Sequence, residues 1–116
     1  MAKLPNFDQA IVEERKITAY LLDRGHPLGG PKAVFFELFG FSVANWRLFR
    51  DALLAHARAN DVARSYRARH GQVHEVIGPL STPDGRNPAV LVAWMVRKGE
   101  DRPRLVTAVP STGRQT

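Results

Sequence analysis

The sequence predicts an α+β domain in which three N-terminal helices pack on a four-stranded antiparallel sheet. Two observations support this prediction. Apolar residues recur at helical spacing before residue 61, whereas strand-like runs follow it. Clusters of Gly, Pro, Asn and Asp separate these runs, as between antiparallel strands. We predict one domain over residues 1–110 and a flexible tail over 111–116.

The first helix is predicted over Glu13–Asp23 from a short apolar stripe. Ile17 and Leu21 stack one turn apart on the side that would face a core. Lys16 and Tyr20 have the same spacing and lie along the edge of that stripe. This edge is therefore expected at the border between core and solvent.

The second helix is predicted to begin at Pro31, because a proline ring suits the first helical turn. Gly40 is expected to end it. Its predicted buried face consists of Phe35, Leu38 and Phe39.

The third helix is predicted to begin after Ser42, which has the side chain of a typical N-cap residue. It is expected to fade near Asn60. Its predicted inward residues are Trp46, Phe49, Leu53 and Ala57.

Four strands are predicted after the helices. Val62–Arg69 and Gln72–Leu80 would form a hairpin around His70-Gly71. Ala89–Arg97 is apolar at both odd and even positions, which indicates a central strand covered on both faces, with Trp94 in the core. Leu105–Val109 would be the last strand.

The charge balance predicts a polyanionic partner. Lys and Arg number 17 against 11 Asp and Glu, and 13 of the 17 are Arg. Arginine favours bidentate contacts with phosphate or carboxylate. Nucleic acid is therefore expected, and no membrane, because no basic amphipathic helix is evident. The arginine usage of a GC-rich genome is the alternative explanation.

Cysteine usage and the N-terminus indicate the compartment. The chain has no cysteine, which excludes disulfides, thiolate catalysis and cysteine zinc sites and fits a reducing environment. The N-terminal residues contain no apolar run that would form a signal peptide or a spanning helix. A cytoplasmic location is expected.

A series of short motifs covers most of the chain between residues 4 and 110. In chain order they are Arg15–Leu22, Gly30–Phe36, Gly40-Phe41, Trp46, Leu53–Ala57, Pro83–Arg86, Trp94 and Pro103–Ala108. Together they resemble a family of small bacterial proteins known as a domain of unknown function. That family in turn resembles the barnase-, EndoU-, colicin- and RelE-like toxins, in which helices precede a four-stranded antiparallel sheet.

The resemblance implies a metal-independent endoribonuclease of a toxin–antitoxin or polymorphic-toxin system. Its partners would be RNA and a small acidic antitoxin or immunity protein. Cleavage by the internal 2′-hydroxyl needs a base, an acid and cations around the phosphate, but no cofactor. No metal site is expected, since the four histidines lack metal-ligand spacing.

Three candidate catalytic residues come from the helical half. Lys32 lies in the first turn of the second helix, where it and the free N–H groups of Gly29-Gly30 would surround a bound anion. His26 lies in the preceding loop, and an imidazole is a side chain suited to acid–base work near neutral pH. Lys16 borders the buried stripe. For each, an ordinary solvated side chain is the alternative.

Arg104 and Thr107 complete the predicted catalytic set. In a regular strand they point to opposite faces, so both would line one site only if a β-bulge lies between them, or if Arg104 reaches around from the start of the strand. Thr107 is also explained by strand propensity alone.

Five further arginines are predicted to bind nucleic acid rather than to catalyse: Arg64, Arg67, Arg69, Arg97 and Arg102. Two other functions stay open. One is a non-catalytic nucleic-acid-binding module, and the other is a protein-interaction module for an acidic partner.

Overall fold

The computed structural model describes residues 2–111 and has the predicted α+β class. The first helix, α1, begins as an α-helical turn over Glu14–Lys16 and continues as a π-helical segment over Ile17–Leu21. The second, α2, spans Gly30–Leu38, and the third, α3, spans Trp46–Ala59. The predicted 111–116 tail lies outside the described residues except for its first position.

Four antiparallel strands follow the helices in the spatial order β1-β2-β3-β4. Their bounds are Val62–Ala68, Gly71–Pro79, Ala89–Arg97 and Arg104–Pro110. The hairpin turn falls one residue earlier than predicted. Gly71 is already paired with Ala68 at the start of β2, where a side chain would collide with the carbonyl of Val96 on β3.

The core lies between the helices and one face of the sheet. Trp94, Phe36 and Phe49 are fully buried, and the rings of Phe36 and Phe49 have centroids 4.7 Å apart. Ser42 is an N-cap as predicted, but of a 3-10 turn over Val43–Asn45 that precedes α3: it accepts from the backbone N–H of Asn45 and forms a capping box with it. α3 itself begins four residues after Ser42, at Trp46.

The predicted buried face of α2 is wrong. Leu38 is 66% exposed, and Phe35 and Phe39 are only partly buried. The buried face instead carries Ala33 and Phe36. The apolar residues of this helix form two overlapping stripes, and packing against α3 selects the one that the pattern did not favour.

A β-bulge interrupts the pairing of β3 with β4. Ala93 pairs with Thr107 and the next residue, Trp94, pairs with Leu105, so Val106 is an extra residue on β4. The bulge puts Arg104 and Thr107 on the same side of the sheet, because their partners Met95 and Ala93 are two residues apart. It also leaves both Val106 and Thr107 half-exposed at the outer edge of β4.

Arg86, in the turn before β3, holds the carboxyl end of α2. Its Nη2 donates to the carbonyl of Leu38 at 2.7 Å, and its guanidinium lies 4.4 Å from the ring centroid of Phe39. The Asp84 carboxylate orients Arg86 through a 2.6 Å ion pair. This part of the Pro83–Arg86 motif therefore has a structural role.

Candidate functional site

An open cleft of about 670 Å³ lies beyond the outer edge of β4. It is formed by α1, the loop between α1 and α2, and the bulged part of β4. Its lining residues are Glu13, Arg15, Lys16, Ala19, Tyr20, His26, Leu28, Arg97, Val106 and Thr107.

The π-helical segment of α1 forms one wall of this cleft. The N–H of Leu22 donates to the carbonyl of Ile17 at 2.8 Å, five residues earlier. Ile17 and Leu21 are fully buried, while Tyr20 stays half-buried at the cleft. π-Helical turns occur frequently at functional sites.

Tyr20 occupies the centre of the cleft. Its hydroxyl lies 2.9 Å from Oγ1 of Thr107. The ammonium groups of Lys16 and Lys32 lie 5.6 Å and 5.4 Å from the centroid of its ring. Lys16 Nζ also donates to the carbonyl of Val106 at 3.3 Å. Two cations and the Thr107 hydroxyl thus lie around the Tyr20 side chain.

His26 is held in one orientation by the backbone of its own loop. Its Nδ1 accepts from the N–H groups of Leu28 and Gly29, both at 3.0 Å. This nitrogen therefore has no proton, and the neutral ring carries its proton on Nε2. The ring also packs edge-on against Tyr20, with centroids 5.0 Å apart. His26 can present an N–H donor to a ligand in the cleft.

The N–H groups of Gly29 and Gly30, expected from the sequence to be free for an anion at the start of α2, already have partners within the loop. The N–H of Gly29 bonds to the His26 ring, and the N–H of Gly30 bonds to the His26 carbonyl at 2.9 Å. Lys32 Nζ donates to the carbonyl of Leu28 at 3.0 Å. The loop caps itself, and the Lys32 charge faces the ring of Tyr20.

Arg104 does not line the cleft, although it stands on the same sheet face as Thr107. Its Nε forms an ion pair with Oε1 of Glu100 at 3.2 Å. Arg97, predicted as a nucleic-acid contact, does line the cleft. Of the five predicted catalytic residues, Lys16, His26 and Thr107 meet in the cleft and Lys32 reaches its central ring.

The predicted nucleic-acid-binding arginines fall into two groups. Arg64 lies 3.7 Å from the Glu75 carboxylate, and Arg102 donates to the carbonyl of Gln9 at 3.0 Å. The other three have no ion pair within residues 2–111: Arg67, Arg69 and Arg97. Of the five, only Arg64 is paired with a carboxylate within residues 2–111, so the charges of the other four, Arg102 included, are available to a ligand.

Two other histidines lie away from the cleft lining. His56 is buried, and its Nε2 contacts the carbonyls of Gly78 and Val90 at 3.1 and 3.0 Å. Burial lowers the pKa of His56, while these carbonyl contacts oppose the shift. Burial also lowers the pKa of His74, whose Nδ1 lies 2.7 Å from Ser65 Oγ.

Sequence reasoning missed three polar residues of the cleft lining: Glu13, Arg15 and Tyr20. Glu13 brings the one carboxylate among the lining residues. The helical spacing of Lys16 and Tyr20 is a signal for their proximity, but Tyr20 reads equally well as a core residue. Nothing in the local sequence distinguishes the π-helical turn that presents it.

Metal-binding and membrane-spanning features are not found within residues 2–111. This part of the chain has no group of three or more His, Asp or Glu side chains placed to hold a metal ion. None of its helices has the length and apolar character needed to cross a bilayer.

One family model, described as Domain of unknown function (DUF6883), matches residues 3–112. The chain belongs to this family. The resemblance predicted from the motifs is confirmed to that extent, and the DUF6883 description assigns no activity. No curated protein matches the sequence.

The DUF6883 fold is similar to a chain from a contact-dependent growth inhibition toxin–immunity protein complex from Klebsiella pneumoniae 342. The TM-score is 0.67 and the two chains are 14% identical. The match covers 88% of this chain and 100% of the other. At this identity the similarity concerns the fold.

Proposed function

We propose that this DUF6883 protein is a toxin-type endoribonuclease that cleaves RNA in the cytoplasm without a metal ion. The observation that supports it most directly is the set of groups around Tyr20. Lys16, His26 and Thr107 come from separate segments of the chain and meet in one cleft around this side chain. The similar fold in a toxin–immunity complex supports the toxin-like role, and a barnase/RelE-like relationship is part of the proposal.

The cleft contains donors suited to a cleaved phosphodiester. The Lys16 ammonium, the His26 Nε2–H and the Thr107 hydroxyl would bind the non-bridging oxygens as negative charge develops on them. Lys32 would act through the face of Tyr20 rather than on the phosphate.

Glu13 and Tyr20 are the proposed proton-transfer groups. The Glu13 carboxylate would take the proton of the 2′-hydroxyl as that oxygen attacks phosphorus. The bond from phosphorus to the 5′ oxygen then breaks, and the Tyr20 hydroxyl would protonate the departing oxygen. The products would be a 2′,3′-cyclic phosphate and a free 5′-hydroxyl, after which solvent returns the Glu13 proton to Tyr20.

One lysine substitution and one arginine substitution test which cations act in the cleft. In RNA cleavage with EDTA present, we expect Lys16→Ala to lower kcat/KM by about 100-fold or more, the scale for one donor to a developing oxyanion. Arg104→Ala should cost less than about tenfold, because its guanidinium is paired with Glu100. An equal loss in both variants would return Arg104 to the catalytic set as predicted from sequence.

An acidic immunity or antitoxin protein is the proposed second partner. The cleft is rimmed by Lys16, Arg15 and Arg97, and the apolar side chain of Leu28 beside it is 68% exposed. An acidic protein that inserts a carboxylate into the cleft and covers Leu28 would block access of RNA.

A basic nucleic-acid-binding module without catalysis is the second candidate. Arg67, Arg69 and Arg97, which have no ion pair within residues 2–111, favour it independently of the Tyr20 site. It predicts salt-sensitive RNA binding with no product under any condition in which the protein is folded.

A further inference from the structure

A band of basic side chains continues from the cleft around one end of the sheet. We call it the basic strip and define it as Arg67, Arg69, His70, Arg97 and Lys98. Arg97 lines both the cleft and a second depression of about 610 Å³, which Arg69, His70 and Lys98 also line. Lys98 in turn shares a third depression of about 210 Å³ with Arg67.

The arginines and the lysine of the strip have no acidic side chain as an ion-pair partner within residues 2–111. None of the ion pairs in this part of the chain involves them. Glu100 lines the second depression but is bound to Arg104. Arg64, close by on β1, differs because it is paired with Glu75. Unpaired cations that line shared depressions repel one another, so a polyanion bound along them would remove a cost as well as add contacts.

The distance from Thr107 in the cleft to the far end of the strip on β3 follows from strand geometry. Ala93, which pairs with Thr107 at the cleft, lies five residues before Lys98. At about 3.3 Å per residue this is about 16 Å. A stacked nucleic-acid strand advances about 3.4 Å per nucleotide, so the path along β3 from the position of Thr107 to Lys98 corresponds to about five nucleotides.

We infer that the basic strip binds the backbone phosphates of an RNA strand that continues beyond the cleft. This inference rests on the proposed function and specifies its substrate. The protein acts on RNA chains that extend at least about five nucleotides from the cleaved bond, not on dinucleotides or free nucleotides. The strip contributes affinity and position, and the chemistry stays in the cleft.

Binding of uncleavable RNA tests the strip separately from catalysis. The probes are a trinucleotide and a dodecamer of 2′-O-methyl-uridine, which lack the attacking hydroxyl. The strip variant carries Arg69→Gln and Lys98→Gln. The matched control carries Arg47→Gln and Arg58→Gln, which remove the same charge from α3, away from the cleft.

We expect the wild type and the control to bind the dodecamer more tightly than the trinucleotide. The strip variant should lose this length advantage and keep wild-type affinity for the trinucleotide. Its slope of log affinity against log salt should fall by roughly 1.4 for the dodecamer, since each neutralised phosphate of a single strand contributes about 0.7.

An unchanged length advantage in the strip variant would overturn the inference, and so would an equal loss in the strip and control variants. Equal wild-type affinity for both probes would overturn it too, leaving the strip to a different partner such as an acidic protein. Failure of the proposed nuclease activity is seen separately, as absence of product from unmodified RNA.

Discussion

At the scale of single residues, the account depends on Tyr20. Its ring is contacted by Lys16 and Lys32 on the π face and by His26 at the edge, and its hydroxyl meets Thr107. A core tyrosine needs one hydrogen-bond partner for its hydroxyl. The two ammonium groups exceed that need and favour a site built to stabilise negative charge.

Removing the Tyr20 hydroxyl is expected to slow cleavage strongly while leaving the fold intact. Tyr20→Phe keeps the ring and both cation contacts, and it should lower kcat by about 100-fold and stability by only about 1 kcal/mol. Thr107→Ser retains the partner hydroxyl and serves as the matched control, with activity within about tenfold of wild type. If Tyr20→Phe cleaves RNA as well as the control does, the proton-donor role is wrong.

The buried His56 predicts that stability falls in mild acid. Its folded-state pKa is lowered below the ordinary 6.5 of the unfolded chain. Its contribution to the free energy of unfolding is therefore complete above pH 6.5 and is lost as the pH falls from 6.5 through the folded-state pKa, because the unfolded chain binds the proton more readily. The loss has a limit of about 1.4 kcal/mol per pH unit for one proton. His74 shifts in the same direction and adds to it.

Urea unfolding between neutral pH and mild acid measures this effect. We expect the wild-type free energy of unfolding to decrease with falling pH, and we expect a shallower decrease in His56→Gln, whose side chain does not titrate. Identical pH slopes for the two proteins would show that burial of His56 does not carry the effect.

At the scale of elements, the bulge in β4 and the π-helical turn in α1 create the site together. The bulge exposes Val106 and Thr107 side by side, and the π-helical turn presents Tyr20 to them. Lys16 then bonds to the Val106 carbonyl on the open edge of β4. In this arrangement the hydroxyls of Tyr20 and Thr107 lie 2.9 Å apart.

The Pro83–Arg86 turn is expected to stabilise α2 through its carboxyl end. Arg86→Ala removes a cation at a helix C-terminus and a contact with the Phe39 ring, which together stabilise by about 1–2 kcal/mol. Arg47→Ala is the control, since Arg47 only covers the ring of Trp46 at 4.9 Å and should cost less than about 1 kcal/mol. Chemical denaturation compares them, and equal midpoints would contradict the helix-end role.

The sequence predicts the elements better than the site, for physical reasons. Helical and strand periods fix β3 over Ala89–Arg97 and place Trp94 in the core, because both depend on local spacing. The buried face of α2 could not be predicted from spacing, because packing against α3 selects between two apolar stripes. The proximity of Tyr20 and Thr107 could not be predicted either, because it depends on a β-bulge whose position the composition of the strand does not determine. The self-capping of His26 depends on backbone geometry in the same way.

At the scale of the whole molecule, charge is distributed unevenly. The chain has a net charge of +6, and four of its ion pairs join acidic side chains to cations that do not line the cleft. The cations left without ion pairs in the described part of the chain include Lys16, Arg97 and the rest of the basic strip. The molecule thus presents a positive surface continuous with the cleft, which would attract the proposed RNA substrate.

The measurement that tests the central claim most directly is cleavage of an RNA dodecamer with EDTA present by wild type, Tyr20→Phe and Lys16→Ala. The account predicts fragments ending in 2′,3′-cyclic phosphate from the wild type. Both variants should cleave at least about 100-fold more slowly. Wild-type protein that is folded and binds the RNA but yields no fragments would contradict it, as would fragments formed equally fast by all three proteins.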